Sequence, residues 1–157
     1  MDNNYIFQKL LKGEEKQISN LVNSVFKEFV APDFSDAGIK TFLDYILPDS
    51  IIQRSSAGNH FIITSKTGEK IIGVIEIKDY EHICLLFVDK NFQEQGIAKR
   101  LYEMAVESCR KMKPDLQEFT VNSSKYAIPV YEKLGFRQIE GEQMKDGIIF
   151  IPMKADL

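Results

Sequence analysis

The run Ile83-Cys84-Leu85-Leu86-Phe87-Val88 and the turn Gln93-Glu94-Gln95-Gly96-Ile97-Ala98 that follows it decide how this 157-residue chain folds. The first is nearly continuously apolar, as in a central strand buried on both faces. The second opens an amphipathic helix that the spacing predicts from Gly96 to about Met112, ended before Pro114. A strand, a short glycine turn and a helix start in this order make an anion site. The first backbone N–H groups of a helix have no intrahelical partner, and the helix dipole adds partial positive charge there. Gly96 allows close approach to the backbone, and Ala98 adds almost no bulk. A phosphate-bearing ligand is the natural occupant. One glycine is too few for the dinucleotide fingerprint, and no Lys-Ser/Thr follows the turn as in a P-loop.

Upstream, residues 60–65 and 70–77 are rich in β-formers and flank Thr67-Gly68, a hairpin pattern. Before them, Ile18, Leu21, Val22, Val25, Phe26 and Phe29 recur at helical spacing until Ala31-Pro32-Asp33-Phe34 interrupts. Ser35 can cap a second helix with Ile39, Phe42, Leu43, Ile46 and Leu47 on its apolar face, which Pro48 is expected to end. Residues 49–59 read as one helical turn and a loop, and residues 5–10 as a first strand. Downstream, residues 118–121 form another strand. A last helix must start close to Pro129 and is closed by Gly135. Residues 136–142 and 148–153 read as two final strands around Lys145-Asp146-Gly147. The order is that of one α+β domain over residues 1–157, with a mixed, mostly antiparallel sheet flanked by helices.

A second motif lies one helix and one strand beyond the first: Val121-Asn122-Ser123-Ser124, then Ala127-Ile128-Pro129-Val130-Tyr131-Glu132-Lys133-Leu134-Gly135-Phe136. The two segments together resemble the GNAT family of N-acetyltransferases, in the right order and over essentially the whole chain. That resemblance implies the acyl-CoA N-acyltransferase fold, whose sheet splays beside the cofactor strand. It implies an enzyme that moves the acetyl group of acetyl-CoA directly onto a primary amine of a small molecule or peptide, without a metal. By the same resemblance Gln93, Gln95, Gly96, Ile97, Ala98 and Lys99 hold the pyrophosphate. The backbone of Phe87 and Val88 pairs with the pantetheine arm, Asn122 reaches the cofactor, and Tyr131 is the general acid for the departing thiolate.

The base is less determined by the residues. Glu76, near a strand end beside the central strand, and His82, at the start of the central strand, are both candidates, and a water relay would serve equally. Cys84 as a covalent nucleophile is disfavoured for want of a His–Asp/Asn partner set. The segment 31–34 is expected to border the acceptor site. Phe34 is either a pocket wall or a hydrophobic staple. Asp33, Asp36 and Asp44 could attract a cationic amine, but acidic helix starts are ordinary caps. A catalytically silent acyl-CoA-binding or sensor module, and transfer of a longer acyl group or onto oxygen, are the competing readings. A nucleotide or NAD binder is opposed by the single-glycine turn.

Bulk properties narrow the partners. A formal net charge of -3 and a pI near 5.5 give no surface for nucleic acid, and the densest basic stretch, Arg110-Lys111-Met112-Lys113, sits where a helix C-terminus favours cations. No apolar run approaches the ~20 residues that span a bilayer. The polar start Met1-Asp2-Asn3-Asn4 is no signal peptide, so a cytoplasmic protein is the default. Homodimerisation stays open. Two cysteines make no disulfide framework. Cys109 shares a helix face with Ile97, Leu101, Met104, Ala105 and Met112 and reads as a packed hydrophobe. His82 and Cys84 on one sheet face would be a poor zinc site, with two ligands only.

Overall fold

Antiparallel hairpins build the sheet, and a single parallel contact breaks it. The computed structural model describes residues 4–157, so three of the four residues of the polar start lie outside the described residues. The strands are β1 (Ile6–Lys9), β2 (His60–Thr67), β3 (Lys70–Lys78), β4 (His82–Val88), β5 (Glu118–Ser123), β6 (Arg137–Gln138), β7 (Gln143–Lys145) and β8 (Ile148–Asp156). Their order is β1-β2-β3-β4-β5-β8-β6, with β7 also on β8. β4 and β5 alone run parallel. The mixed, mostly antiparallel sheet with flanking helices is the fold expected from the sequence.

Each face of the sheet is covered by helices whose apolar stripe matches the helical period. One face carries α1 (Glu15–Val25), α2 (Asp36–Tyr45) and α3 (Pro48–Ser56). Ile18, Leu21, Val22, Val25, Ile46 and Ile51 there pack on Ile62, Ile71, Val74 and Leu85 of the sheet. The other face carries α4 (Ile97–Met112) and α5 (Ile128–Lys133). Ile97, Leu101, Ala105 and Cys109 of α4 and Tyr131 of α5 pack there on Ile75, Ile77, Ile83 and Phe119. Cys109 is fully buried, as its place on the apolar face requires, and burial pushes its thiol up to about 12.

Two expectations need correction. Pro48 does not simply stop a helix. α2 ends at Tyr45, and Pro48 opens α3, where its fixed φ and missing N–H cost nothing. Residues read as a turn and loop are therefore mostly helix. The strand expected over 136–142 is reduced to β6, and a separate short strand, β7, follows it at 143–145; both pair with β8. Pro152 supplies the reason: its carbonyl accepts from Ile139 N at 3.0 Å, but it has no N–H to return the bond, so the ladder loses a rung between the two pieces.

The tight turn between β7 and β8 docks on the start of α2. Ser35 caps α2 through Gly38 N at 3.1 Å, and Thr41 Oγ1 donates to Asp146 O at 2.8 Å. The two backbones touch because both contact residues are glycines: a Cβ on Gly38 would lie 2.0 Å from Gly147 O. Gly38→Ala is therefore expected to destabilise the fold by roughly 1–3 kcal/mol or more, since backbone must move. Gly141→Ala, with nothing within 4 Å of its Cβ, should be neutral in the same thermal melt.

Candidate active site

The parallel contact between β4 and β5 lasts two residues, His82↔Thr120 and Ile83↔Val121. Past Ile83 the strands separate, leaving one edge of β4 without a strand partner. Which groups face that opening follows from the other edge. Asp89 N donates to Ile72 O at 2.8 Å, and the register pairs Phe87 with Val74 and Leu85 with Glu76. In an antiparallel ladder, hydrogen-bonded residues alternate along the strand. Leu85 and Phe87 thus bond toward β3, and the backbone groups of Leu86 and Val88 turn into the opening. Val88 closes β4 with its backbone toward the opening. Phe87 does not offer its backbone there, and its ring packs 6.1 Å from Phe42 on the α2 face. Leu86 was missed because strand phase depends on a bulge that no residue pattern announces.

That bulge is at Cys84. Glu76 pairs with Leu85 and Ile77 with Ile83, so Cys84 has no opposite residue. Around it gathers a polar cluster drawn from four further elements. Glu76 of β3 is fully buried. Its two oxygens accept from Arg54 Nε at 2.8 Å and Nη2 at 3.1 Å, and Oε2 also meets His60 Nδ1 at 2.7 Å. Arg54 of α3 lies 3.7 Å over the Tyr45 ring and donates to Tyr45 O at 2.6 Å. Burial opposes the Arg54 charge, but the bond and charge of Glu76 outweigh it, so its pKa ends up raised. Burial pushes the Cys84 thiol up to about 11, with Glu76 adding to the rise. Burial also raises the Tyr45 phenol, with Cys84 adding.

His60, Glu76 and Cys84 present ligand atoms within 4.8 Å of one another. A divalent cation there would have to displace the Arg54 guanidinium already bonded to both carboxylate oxygens. Cys84 meets His60 and Glu76 there, a set that does not include His82. Sequence reading had Glu76 but not Arg54, His60 or Tyr45, which lie far apart along the chain and belong to no shared motif.

The remaining candidates sit as follows. His82 is at the closed end of the opening, its Nδ1 2.7 Å from Thr120 Oγ1, and burial, then Lys78, lowers its pKa. Tyr131 is buried on α5 with its ring 5.4 Å from Phe136. Burial raises its pKa well above the usual phenol range, and the nearby Cys84 adds to the rise. Asn122 is exposed on β5, one residue past the last β4–β5 rung.

Beyond Val88, a one-turn helix at Lys90–Phe92 is capped by Asp89, whose side chain accepts from Asn91 N at 2.9 Å. The turn then reverses through Glu94 at φ 62° and Gly96 at φ 81°. Gly96 caps α4 with no side-chain bond, and no acidic residue stands in the first turn. Ile97 anchors the helix in the core, while Lys99 and Arg100 are exposed and Ala98 half-buried. Gln95 bonds the Tyr5 hydroxyl. Gln93 Nε2 donates to Val88 O at 3.1 Å and its Oε1 accepts from Tyr126 at 3.1 Å, while the Tyr126 ring stacks 4.8 Å from Phe29.

Residues 30–157 match the family described as the acetyltransferase (GNAT) domain. The chain belongs to that family. Two solved structures share this GNAT fold at low identity. A GCN5-related N-acetyltransferase of Rhodopseudomonas palustris is 15% identical, with 97% of this chain and 95% of that one covered at a TM-score of 0.81. PaiA N-acetyltransferase of Thermoplasma acidophilum, solved in complex with coenzyme A, is 16% identical, with 98% and 99% covered at a TM-score of 0.80. Over 70 residues the GNAT chain is 27% identical to a UPF0039 protein of Schizosaccharomyces pombe, spanning 45% of its own length and 47% of that relative. Among the described residues no helix is long and apolar enough to cross a membrane.

The buried cluster gives a stability test. Arg54→Met leaves a fully buried carboxylate without its bidentate partner, and should cost about 3–5 kcal/mol in urea unfolding. Loss of the exposed Lys40–Asp44 pair, through Lys40→Ala, should cost well under about 1 kcal/mol.

Proposed function

We propose that this protein transfers the acetyl group of acetyl-CoA directly onto a primary amine of a small molecule or peptide. The observation that carries the reading is continuity. The free edge of β4 at Leu86 and Val88 leads, through the turn at Gly96, to the open amide end of α4. A cofactor with an amide-bearing arm and a pyrophosphate needs those two features in that order.

The pyrophosphate would lie on the amides of Ile97, Ala98 and Lys99, with the Lys99 and Arg100 side chains neutralising charge. The pantetheine amides would bond to Leu86 and Val88 like an added strand. Gln93, whose carboxamide holds Val88 O in the free protein, would release it on binding. Coenzyme A bound to the Thermoplasma relative supports this placement by likeness of fold. The thioester then reaches the bulge, where a backbone N–H at the opening can stabilise the oxyanion, a contact worth ~10²–10³ in rate in other enzymes.

As the tetrahedral adduct collapses, the C–S bond breaks and the thiolate takes a proton from the Tyr131 hydroxyl. A thiolate whose thiol has a pKa near ~8.5 is a weaker base than a phenolate whose phenol has one near ~10. Burial raises a thiol at this spot as it raises Cys84, and it raises the Tyr131 phenol as well, so the transfer runs uphill and is completed when the phenolate is reprotonated. The second proton of the new ammonium centre returns to Tyr131 through water. Asn122, exposed at the opening, is placed to hold the cofactor arm.

Two variants test the reading. Gly96→Asp puts a carboxylate where phosphate should lie, in a left-handed conformation that Asp tolerates and with open space around its Cβ. Calorimetry should show weakened CoA binding with the melt unchanged, and unchanged affinity would remove the loop from the site. Tyr131→Phe should lower kcat by ~10²–10⁴ with CoA affinity kept. Wild-type turnover under chemistry-limited conditions would assign the ring to packing.

A further inference from the structure

Glu76 cannot serve as the base in the geometry observed. It is fully buried, and Arg54 and His60 occupy both oxygens. The same bonds determine what its neighbour can do. An ionised carboxylate only accepts hydrogen bonds, so the ring nitrogen 2.7 Å from Oε2, His60 Nδ1, must carry the proton. In the neutral ring that leaves Nε2 with a free lone pair. Arg54 donates to both Glu76 oxygens from the other side, a charge-assisted bidentate pair.

The arrangement is a carboxylate–imidazole pair of the kind that fixes a tautomer and orients a base. It stands at the bulge: the Cys84 sulfur lies within 4.8 Å of both partners. Cys84 is half-buried and lies close enough to raise the Tyr131 pKa. The thioester carbon and the attacking nitrogen must meet between the β4 edge and Tyr131. His60 reaches Glu76 and the Cys84 sulfur at the bulge, whereas His82 turns its Nδ1 to Thr120 of β5.

We infer that His60 is the general base of the transfer and that Glu76 and Arg54 are its positioning residues, an inference that rests on the acetyl-transfer reading above. The acceptor ammonium gives one proton to His60 Nε2, directly or across one water. The freed lone pair forms the C–N bond. Its second proton goes to the coenzyme A sulfur by way of Tyr131, and His60 returns its proton to solvent. The products are the amide, the free thiol and one proton. The charged and titratable groups gathered around His60 are Glu76 from β3, Arg54 from α3, Tyr45 from α2, Cys84 from β4 and Lys78, its partner across the β2–β3 ladder.

The chain has two histidines, which makes the test direct. Nitrogen-15 NMR of the free protein, assigned with His82→Gln, should show the neutral His60 ring protonated at Nδ1 with Nε2 bare. A proton on Nε2, or an imidazolium persisting above pH 8, overturns the inference whatever the acceptor is. In kinetics with an alkyl amine, His60→Asn keeps a donor for Glu76. It should lower kcat/KM by ~10²-fold or more near neutral pH and abolish the acidic limb of the pH profile. A weakly basic aromatic amine, already neutral, should lose much less. An unmoved acidic limb in His60→Asn removes the base while acetyl transfer stands. Wild-type protein that binds no coenzyme A in calorimetry would instead sink the transferase reading, with the NMR result unaffected.

Discussion

Backbone hydrogen bonds that β4 leaves unmade are the constraint on which this structure turns. β4 and β5 share two rungs and then part, because β5 is held for six residues against β8 while β4 is held against β3. Peptide groups facing the gap cannot pair within the sheet, and buried unpaired peptide groups are costly. A ligand that supplies amides along the gap is thus favoured by the scaffold itself. The rest of the molecule holds the gap open. α1, α2 and α3 cover one face of the sheet, α4 and α5 the other, and the β7–β8 turn is locked to α2 by two glycines.

The bulge at Cys84 is the second device. It shifts the phase of β4, so that Ile83 joins the core under α4 while Leu85 joins the one under α1. It also brings a side chain from β4 to Glu76 and His60. A fully buried carboxylate is expensive to keep, and Arg54 and His60 make it tolerable by charge and hydrogen bonding. The network gathers His60, Glu76 and Cys84 within 4.8 Å of one another at the bulge.

Much of this was legible in the sequence where a residue has only one good use. Gly96 in a left-handed turn, Pro129 in the first turn of α5 and Gly135 closing it each match the structure. The amphipathic stripe of α4 and the hairpin at Gly68 do so as well. Pro48 was misread because proline serves a helix start as well as it ends one. The break between β6 and β7 depends on which side of β8 Pro152 faces, which only the paired sheet decides. Leu86 and the Arg54–Glu76–His60 set were hidden for the same reason: strand phase and contacts between distant segments are set by tertiary register, not by local pattern.

The free edge of β4 carries the whole account, and amide hydrogen exchange read by NMR tests it most directly. Leu85 and Phe87, bonded to β3, should be protected with or without coenzyme A. Leu86 and Val88 should exchange much faster in the free protein and become protected when coenzyme A is added. If Leu86 and Val88 are already protected in the free protein, or stay unprotected with coenzyme A at saturation, the opening is not where the cofactor's arm binds.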